Sequence, residues 1–235
     1  MKKLFLVANW KSNNTQDQIY HWFAGVKDFL QATSIKELKL ENKEVIICPS
    51  FTLLSYVKSS IINDKLPVKI GAQNISPFDE GSYTGEVNGR QIGEFAEFVI
   101  IGHSERRKNF GENDEMVSQK IAMAINSGLI PIVCISEISQ TLNIKYQIQK
   151  LKPKNVIVAY EPLFAIGSGN PDTPENANKT ANGIKKQLGD IYVLYGGSVT
   201  SKNISGFTKM PDIDGVLVGK ASLNPFDFLD IIKNA

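Results

Sequence analysis

Short runs of consecutive apolar residues alternate along this chain with longer polar segments. Strictly alternating hydrophobicity is weak in these runs, and continuous hydrophobicity is typical of strands buried on both faces, as in a parallel sheet covered by helices. The pattern therefore predicts an α/β fold with eight strands, which lie in the runs LFLVANW, EVIICPS, VKIGAQN, FVIIGHS, LIPIVCIS, NVIVAYE, IYVLYGGS and GVLVG.

The polar segments between these runs carry helical periodicity. It is clearest over residues 17–30, 114–128 and 173–189, and weakest over 52–60. Eight strand–helix units in 235 residues, near the ~250 typical of the class, predict a single-domain (β/α)8 barrel over residues 1–235 with no linker. A doubly wound open sheet is the alternative, but it usually has a glycine-rich turn after its first strand, and NWKSNN contains no glycine.

Composition narrows the class of protein. The net charge is +2 and the lysines are scattered, so no basic stripe indicates a nucleic-acid partner. Cys48 and Cys134 lie inside apolar runs and are typical of buried thiols in a reducing cytosol, with a disulfide as the alternative. The apolar run at the start is too short for a signal peptide, and no run reaches membrane-spanning length. We therefore expect a cytoplasmic protein with no membrane partner.

Polar or glycine residues stand at the end of almost every predicted strand. In a barrel these ends converge on one face, and that face carries the active site. Each residue taken alone is better explained as a cap or turn residue, but surface turns have no reason to gather a lysine, a histidine and a glutamate facing each other. The sequence therefore predicts one pocket, formed around Asn9, Lys11, Gln73, Asn74, His103, Glu105, Glu161, residues 196–198 and Gly219.

Side-chain chemistry suggests a role for each charged candidate. Glu161 precedes an apolar loop that could act as a lid, so it is the candidate base. His103 could donate a hydrogen bond to a developing oxyanion, or it could simply cap a helix or sit in the core. Lys11 offers a fixed positive charge or is an ordinary surface lysine, and Glu105 either pairs with Lys11 or caps the helix. His21 lies in an amphipathic helix and is interpreted as structural.

The last two strands predict an anion site. The stretch 195–199 reads YGGSV, and the stretch 216–225 reads VLVGKASLNP. Successive backbone amides beside a helix N-terminus bind phosphate, and barrels frequently place such a site after strands seven and eight. Two tight turns that need glycine are the alternative. The chain has no Walker loop, no HExxH motif and few His and Cys residues, so we expect no metal and no cofactor.

Eight motifs, in order along the whole chain, resemble those of the triosephosphate isomerase family: ANWK (8–11), GAQN (71–74), YTGE (83–86), IGHSERR (101–107), CISE (134–137), AYEPLFAIGSG (159–169), YGGSV (195–199) and VLVGKAS (216–222). The resemblance implies a TIM barrel. It also implies an isomerase that interconverts dihydroxyacetone phosphate and D-glyceraldehyde 3-phosphate through an enediol(ate), in glycolysis and gluconeogenesis. The family needs no cofactor and is usually a homodimer.

The resemblance also implies a role for individual residues. Glu161 would be the base and His103 the electrophile, whose neutral imidazole is a property described for this family itself. Asn9 and Lys11 would act in catalysis and bind substrate, with Glu105 supporting Lys11. Residues 162–170 would form a mobile lid, and the 74–87 loop would reach into a second subunit. Phosphate binding would fall to Gly167, Ser198, Gly219 and Lys220.

The sequence departs from the family pattern at four places. Phe164 stands where the family usually has Trp, and Ser136 replaces a usual Gly. Lys220 occupies the second position of a usual Gly-Gly pair, which leaves the direction of its side chain open. Residues 170–176, NPDTPEN, replace the familiar exit of the lid with two prolines, which should stiffen that hinge.

Two other functions remain as alternatives. One is a different phosphate-binding barrel, such as an aldolase or an amino-sugar isomerase, although Lys11 has the wrong neighbours for a Schiff base. The other is a noncatalytic barrel that serves as a binding protein. The presence of Asn9, Lys11, His103 and Glu161 together favours the isomerase.

Overall fold

The computed structural model describes residues 2–33, 35–149 and 155–235, and its strands form one closed barrel. All eight strands are parallel and follow one another in chain order. The predicted (β/α)8 barrel is confirmed, and the open-sheet alternative is wrong. The strands are β1 Leu4–Asn9, β2 Lys43–Cys48, β3 Val68–Ala72, β4 Phe98–Ile101, β5 Ile130–Ile135, β6 Ile157–Tyr160, β7 Tyr192–Tyr195 and β8 Gly215–Val218.

Helices cover the outside of the barrel. Those predicted over 17–30, 114–128 and 173–189 are α1, α5 and α7, and the weak signal over 52–60 falls on α2. No helix in the described ranges is long and apolar enough to cross a membrane. The helices are α1 Gln16–Ala32, α2 Leu54–Asn63, α3 Gly89–Gly93, α4 Ser104–Phe110, α5 Asp114–Asn126, α6 Thr141–Ile148, α7 Pro174–Leu188, α8 Ile204–Thr208 and α9 Pro225–Asn234.

The strands are buried on both faces, as their continuous hydrophobicity predicted. All six residues of β1 are buried. Phe5 and Val7 belong to the core inside the barrel, whereas Leu6 and Ala8 belong to the core between strands and helices. Cys48 and Cys134 are buried in the inner core as free thiols, so the disulfide alternative is wrong.

The barrel closes where β8 pairs with β1. Residues 5–8 pair with residues 215–218, and the amide of Phe5 donates to the carbonyl of Asp214 at 2.9 Å. Gly215 has a φ of +144°, and a Cβ at this position would lie 2.0 Å from the carbonyl oxygen of Phe5. Only glycine fits this seam without moving backbone.

A buried ion-pair network lies behind the end of β4. The Glu112 side chain, 1% exposed, accepts hydrogen bonds from the amide of Gly102 at 2.9 Å, from Arg106 Nε at 2.7 Å and from Lys120 Nζ at 2.5 Å. Lys120 Nζ also donates to Asn74 Oδ1 at 2.7 Å. The network therefore ties β4 to α4, to α5 and to the first residue of the 74–87 loop.

Replacing Gly215 with Ala should destabilise the protein by more than about 3 kcal/mol, because the new methyl group collides with the backbone of Phe5 and the φ angle is unfavourable. Urea unfolding followed by circular dichroism measures the loss. Gly128→Ala is the matched control: its φ is +73°, but a Cβ there has nothing within 4 Å. The control should lose only about 1–2 kcal/mol. Equal losses in the two variants would contradict a steric role for the seam.

Replacing Glu112 with Gln should cost about 3–5 kcal/mol at neutral pH, because it leaves the buried ammonium of Lys120 without its counter-charge. Burial alone would raise the pKa of Glu112, but the hydrogen bonds and charges of Lys120 and Arg106 outweigh it, and the pKa is lowered. Since the folded pKa is the lower one, this stabilisation is complete above the unfolded pKa of about 4.3 and disappears as the pH falls through the folded pKa.

Urea unfolding measured from about pH 6 to about pH 3 tests this sign, since the linked group titrates in that window. The difference in unfolding free energy between wild type and Glu112→Gln should shrink as the pH falls. The control is Glu115→Gln, which removes the charge of an exposed carboxylate in the first turn of α5. It should change stability by at most about 0.5 kcal/mol. A wild-type advantage that stays constant across this range would show that the carboxylate charge is not what stabilises the network.

Candidate active site

Glu161 and His103 face each other at the carboxyl end of the barrel. Glu161 follows β6 directly and His103 lies two residues after β4. Their side chains meet at 3.1 Å between Glu161 Oε1 and His103 Nε2, and both are almost fully buried. A carboxylate and an imidazole held within hydrogen-bond distance in a cavity can take and give protons on the same small molecule.

Three backbone contacts fix the position of Glu161. Its amide donates to the carbonyl of Ile135 at 2.8 Å, and its Oε2 accepts from the amide of Ser104 at 3.0 Å. Gly196 lies against it, since a Cβ there would stand 2.9 Å from Glu161 Cγ. Burial and the adjacent Glu161 carboxylate also raise the pKa of the Cys134 thiol, so Cys134 is a protonated neighbour of the base. The sequence analysis gave Cys134 no such position.

His103 is both a helix cap and a member of the site. It is the N-cap residue of α4, and its Nδ1 accepts from the amide of Glu105 at 3.2 Å. A ring nitrogen that accepts a hydrogen bond carries no proton, so a neutral His103 has its proton on Nε2, the atom that faces Glu161. The two interpretations of His103 in the sequence are therefore compatible, because capping fixes the tautomer.

Lys11 is held by the chain on both sides. It has a left-handed φ of +51°, its amide donates to Asn9 Oδ1 at 3.0 Å, and its ammonium pairs with Glu105 Oε1 at 2.5 Å. Of the two options for Glu105, pairing with Lys11 is the one observed for its side chain. Gln73 Nε2 donates to the carbonyls of Lys11 and Cys48 at 2.9 and 2.8 Å. Gln73 stood among the predicted strand-end residues, but its bridging role was not predicted.

One cavity of about 870 Å³ is lined by all the residues to which the family resemblance gave a catalytic or substrate-binding role, but Gln73, Asn74 and Glu105 of the predicted pocket are not part of its lining. Glycines bring its walls close together: a Cβ at Gly219 would lie 3.3 Å from Cε and 3.7 Å from Nζ of Lys11. Backbone amides and an ammonium thus share one wall, which suits a phosphate. The residues brought together are Asn9, Lys11, His103, Glu161, Gly167, Ser198, Gly219 and Lys220.

The loop over residues 162–170 touches this cavity from one side. The amide of Gly169 donates to Ser198 Oγ at 3.2 Å, and Ser198 Oγ donates to the carbonyl of Ala165 at 2.8 Å. Leu163 and Phe164 are exposed in this conformation, by 64% and 62%, whereas Ile166 lines the cavity. Leu163 and Phe164 therefore present their side chains to solvent, while Ile166 presents its side chain to the cavity.

Just after this loop, the chain is held by Tyr195, for which no role was predicted from the sequence. Tyr195 Oη accepts from the amide of Asp172 at 2.8 Å, and its ring stacks on Phe207 with centroids 4.0 Å apart. Gly197 makes room for it, because a Cβ there would stand 2.2 Å from Tyr195 Oη. The exit of the loop is thus anchored to β7.

Two other predicted features lie outside the cavity. His21 is exposed on α1, with its ring 3.8 Å from Asp17, consistent with its structural interpretation. Residues 74–87 contain an exposed aromatic pair, Phe78 and Tyr83, whose rings stack with centroids 4.2 Å apart and planes 6° apart. A stacked, solvent-exposed aromatic pair is typical of a surface that contacts another molecule.

Comparisons with known proteins agree with this architecture. The family described as "Triosephosphate isomerase" matches residues 4–235. Curated proteins of that name include those of Dictyoglomus thermophilum, 37% identical over all of both chains, and Nostoc punctiforme, 38% identical over 99% of this chain and 98% of the relative. The triosephosphate isomerase of Mycoplasmopsis pulmonis is 37% identical, again over 99% and 98% of the two chains. This chain belongs to the triosephosphate isomerase family.

Proposed function

We propose that the protein interconverts dihydroxyacetone phosphate and D-glyceraldehyde 3-phosphate, as an isomerase of glycolysis and gluconeogenesis. Family membership supports this reaction. The observation that carries it is the 3.1 Å contact between Glu161 and His103 in a cavity that is also lined by Lys11 and by glycine-rich loops. The reaction needs these three elements: a base, an acid that serves two oxygens, and a grip on the phosphate.

Proton transfer is assigned to Glu161. Its carboxylate removes a proton from C1 of dihydroxyacetone phosphate, and the C1–H electron pair becomes the C1=C2 bond of the enediolate while the carbonyl π electrons move to O2. Returning the proton to C2 gives the aldehyde. Glu161 suits this role because its buried carboxylate is held by the Ser104 amide on one oxygen only, so Oε1 stays directed at His103 and the cavity.

Stabilisation of the negative charge that develops on the substrate oxygens is assigned to His103 and Lys11. The Nε2 proton of His103 can be donated to O2 and recovered from O1, which moves the hydroxyl hydrogen as the carbon proton moves. The Lys11 ammonium adds positive charge close to the developing enediolate. Its existing ion pair with Glu105 holds it in place, so little reorganisation is needed during the reaction. That ion pair also argues against a Schiff-base role for Lys11.

Phosphate binding is assigned to backbone and hydroxyl groups: the amides of Gly167, Gly219 and Lys220 and the hydroxyl of Ser198. Gly167 has a φ of +64°, which lets its amide turn toward a ligand as the loop moves. We further propose that residues 162–170 act as a lid that excludes water from the intermediate. The mechanism requires no metal and no cofactor.

The domain organisation, the cellular location and the assembly of the protein are also proposed. We propose a single functional domain over residues 1–235 and a cytoplasmic location, in keeping with two buried free thiols. We also propose a homodimer through the 74–87 loop. Its exposed Phe78 and Tyr83 support this, with Thr84 expected near Asn9 and Lys11 of the second subunit.

A coupled assay with dihydroxyacetone phosphate tests the reaction, and Glu161→Asp tests the base. Shortening the side chain by one methylene retracts the carboxylate by about 1 Å, which should lower kcat about 10²-fold. KM should change little, because the phosphate contacts lie elsewhere. Glu175→Asp, an exposed carboxylate on α7, is the matched control and should match wild type. If Glu161→Asp keeps normal turnover, Glu161 is not the base.

The proposed dimer predicts that activity and assembly are lost together. Replacing Phe78 and Tyr83 with Ser should convert the dimer to a monomer, because the exposed apolar pair no longer has a buried position to fill in the second subunit. Analytical ultracentrifugation and the coupled assay, over the same concentration range, measure both properties. Replacing exposed Tyr20 of α1 with Ser serves as control and should leave the dimer intact. A fully active wild-type monomer at assay concentration would refute the dimer requirement.

A further inference from the structure

Lys220 places a flexible cation at the phosphate side of the cavity. It begins the short 3-10 helix Lys220–Ser222 immediately after Gly219, and both residues line the cavity with Ser198. Lys220 is exposed, and its ammonium forms no hydrogen bond or ion pair with the residues that the structure describes. Its flexible four-carbon stem leaves the ammonium free to swing across the opening.

The charges around the cavity show why such a cation matters. Its lining contains two cations, Lys11 and Lys220, and two carboxylates, Glu161 and Asp227. Lys11 is already paired with a third carboxylate, Glu105, at 2.5 Å. The formal charge of this group is −1, and without Lys220 it would be −2, so a phosphate dianion would approach against a more repulsive field.

We propose that the Lys220 side chain attracts and holds the phosphate group of the substrate, in addition to the backbone amide of the same residue. The proposal rests on the proposed isomerase reaction and identifies Lys220 as a residue that determines specificity for the anionic substrate. Where the family usually has a second glycine, only an amide is available at this point. This chain adds a full positive charge, which Asp227 on the same lining partly offsets.

Both lysines, Lys11 and Lys220, line the cavity beside Gly219. The Gly219 backbone stands next to the Lys11 ammonium, as the 3.7 Å separation between its virtual Cβ and Lys11 Nζ shows. A phosphate bound at the amides of residues 219 and 220 would therefore lie close to Lys11, and the Lys220 side chain starts from the same stretch of backbone. Since Lys220 is exposed, its effect is expected mainly on substrate capture and to depend on salt.

Lys220→Gln tests the proposal. At low ionic strength it should lower kcat/KM for D-glyceraldehyde 3-phosphate about tenfold and weaken competitive inhibition by inorganic phosphate by a similar factor. kcat should stay within about twofold, because Lys220 touches no reacting carbon or oxygen. The deficit should shrink as salt is raised toward 1 M, where the Debye length falls from ~10 Å at 0.1 M to about 3 Å.

Two further variants separate charge in the cavity from charge elsewhere. Asp227→Asn should shift kcat/KM and phosphate inhibition in the opposite direction, because it removes a carboxylate from the same lining. Lys202→Gln removes an exposed lysine outside the cavity lining and should match wild type at every salt concentration. If Lys220→Gln shows the same salt dependence and phosphate inhibition as Lys202→Gln, the proposal is wrong.

Calorimetric titration with inorganic phosphate keeps this inference distinct from the proposed reaction. A wild-type protein without isomerase activity would overturn the proposed function, while weaker phosphate binding by Lys220→Gln would still support an anion-binding side chain. An active wild type whose phosphate affinity is unchanged by Lys220→Gln would overturn only the role of Lys220. Absence of phosphate binding to the wild type would also overturn the role of Lys220.

Discussion

Closure of the barrel between β8 and β1 is the constraint on which the site depends. The candidate residues come from the ends of different strands: Asn9 after β1, His103 after β4, Glu161 after β6 and Gly219 after β8. No two of them are neighbours in the sequence, and only a closed ring of parallel strands brings all of them to one cavity. Gly215, the glycine at the β8–β1 seam, is therefore needed to form the site, although it is not one of the candidate site residues.

A second set of contacts holds the site from behind. Glu112 accepts a hydrogen bond from the amide of Gly102, the residue before His103. Gln73 donates to the carbonyl of Lys11, and Tyr195 accepts from the amide of Asp172, just after the 162–170 loop. Each contact pairs a side chain with backbone next to a candidate functional residue. Fixing the backbone in this way orients groups before substrate arrives, and this preorganisation makes electrostatic stabilisation effective in an enzyme.

The sequence predicted the barrel and the candidate catalytic and substrate-binding residues that line the cavity, but not these supporting contacts. Eight apolar runs are a strong local signal, and a strand end that carries Glu161 or His103 is visible from the strand itself. Glu112 binds Lys120, which lies eight residues later in the sequence. It also binds Gly102 and Arg106, which lie ten and six residues earlier. Nothing in the segment GENDEMV distinguishes a buried ion-pair carboxylate from an ordinary helix-start residue. Such roles depend on three-dimensional packing, which periodicity does not report.

The lysines at the two ends of the barrel differ in their surroundings. At the amino end, Lys2 donates to the carbonyls of Met210 and Ile213, and Lys43 donates to those of Leu38 and Ile232. Burial lowers the pKa of both lysines. At the carboxyl end, Lys11 adopts a left-handed backbone and Lys220 remains unpaired among the described residues. A left-handed backbone on a residue other than glycine costs stability, so it persists where the surrounding structure compensates for it, often at a functional site. The lysines at the amino end thus hold backbone carbonyls together, whereas those at the carboxyl end line the cavity in which an anionic substrate would bind.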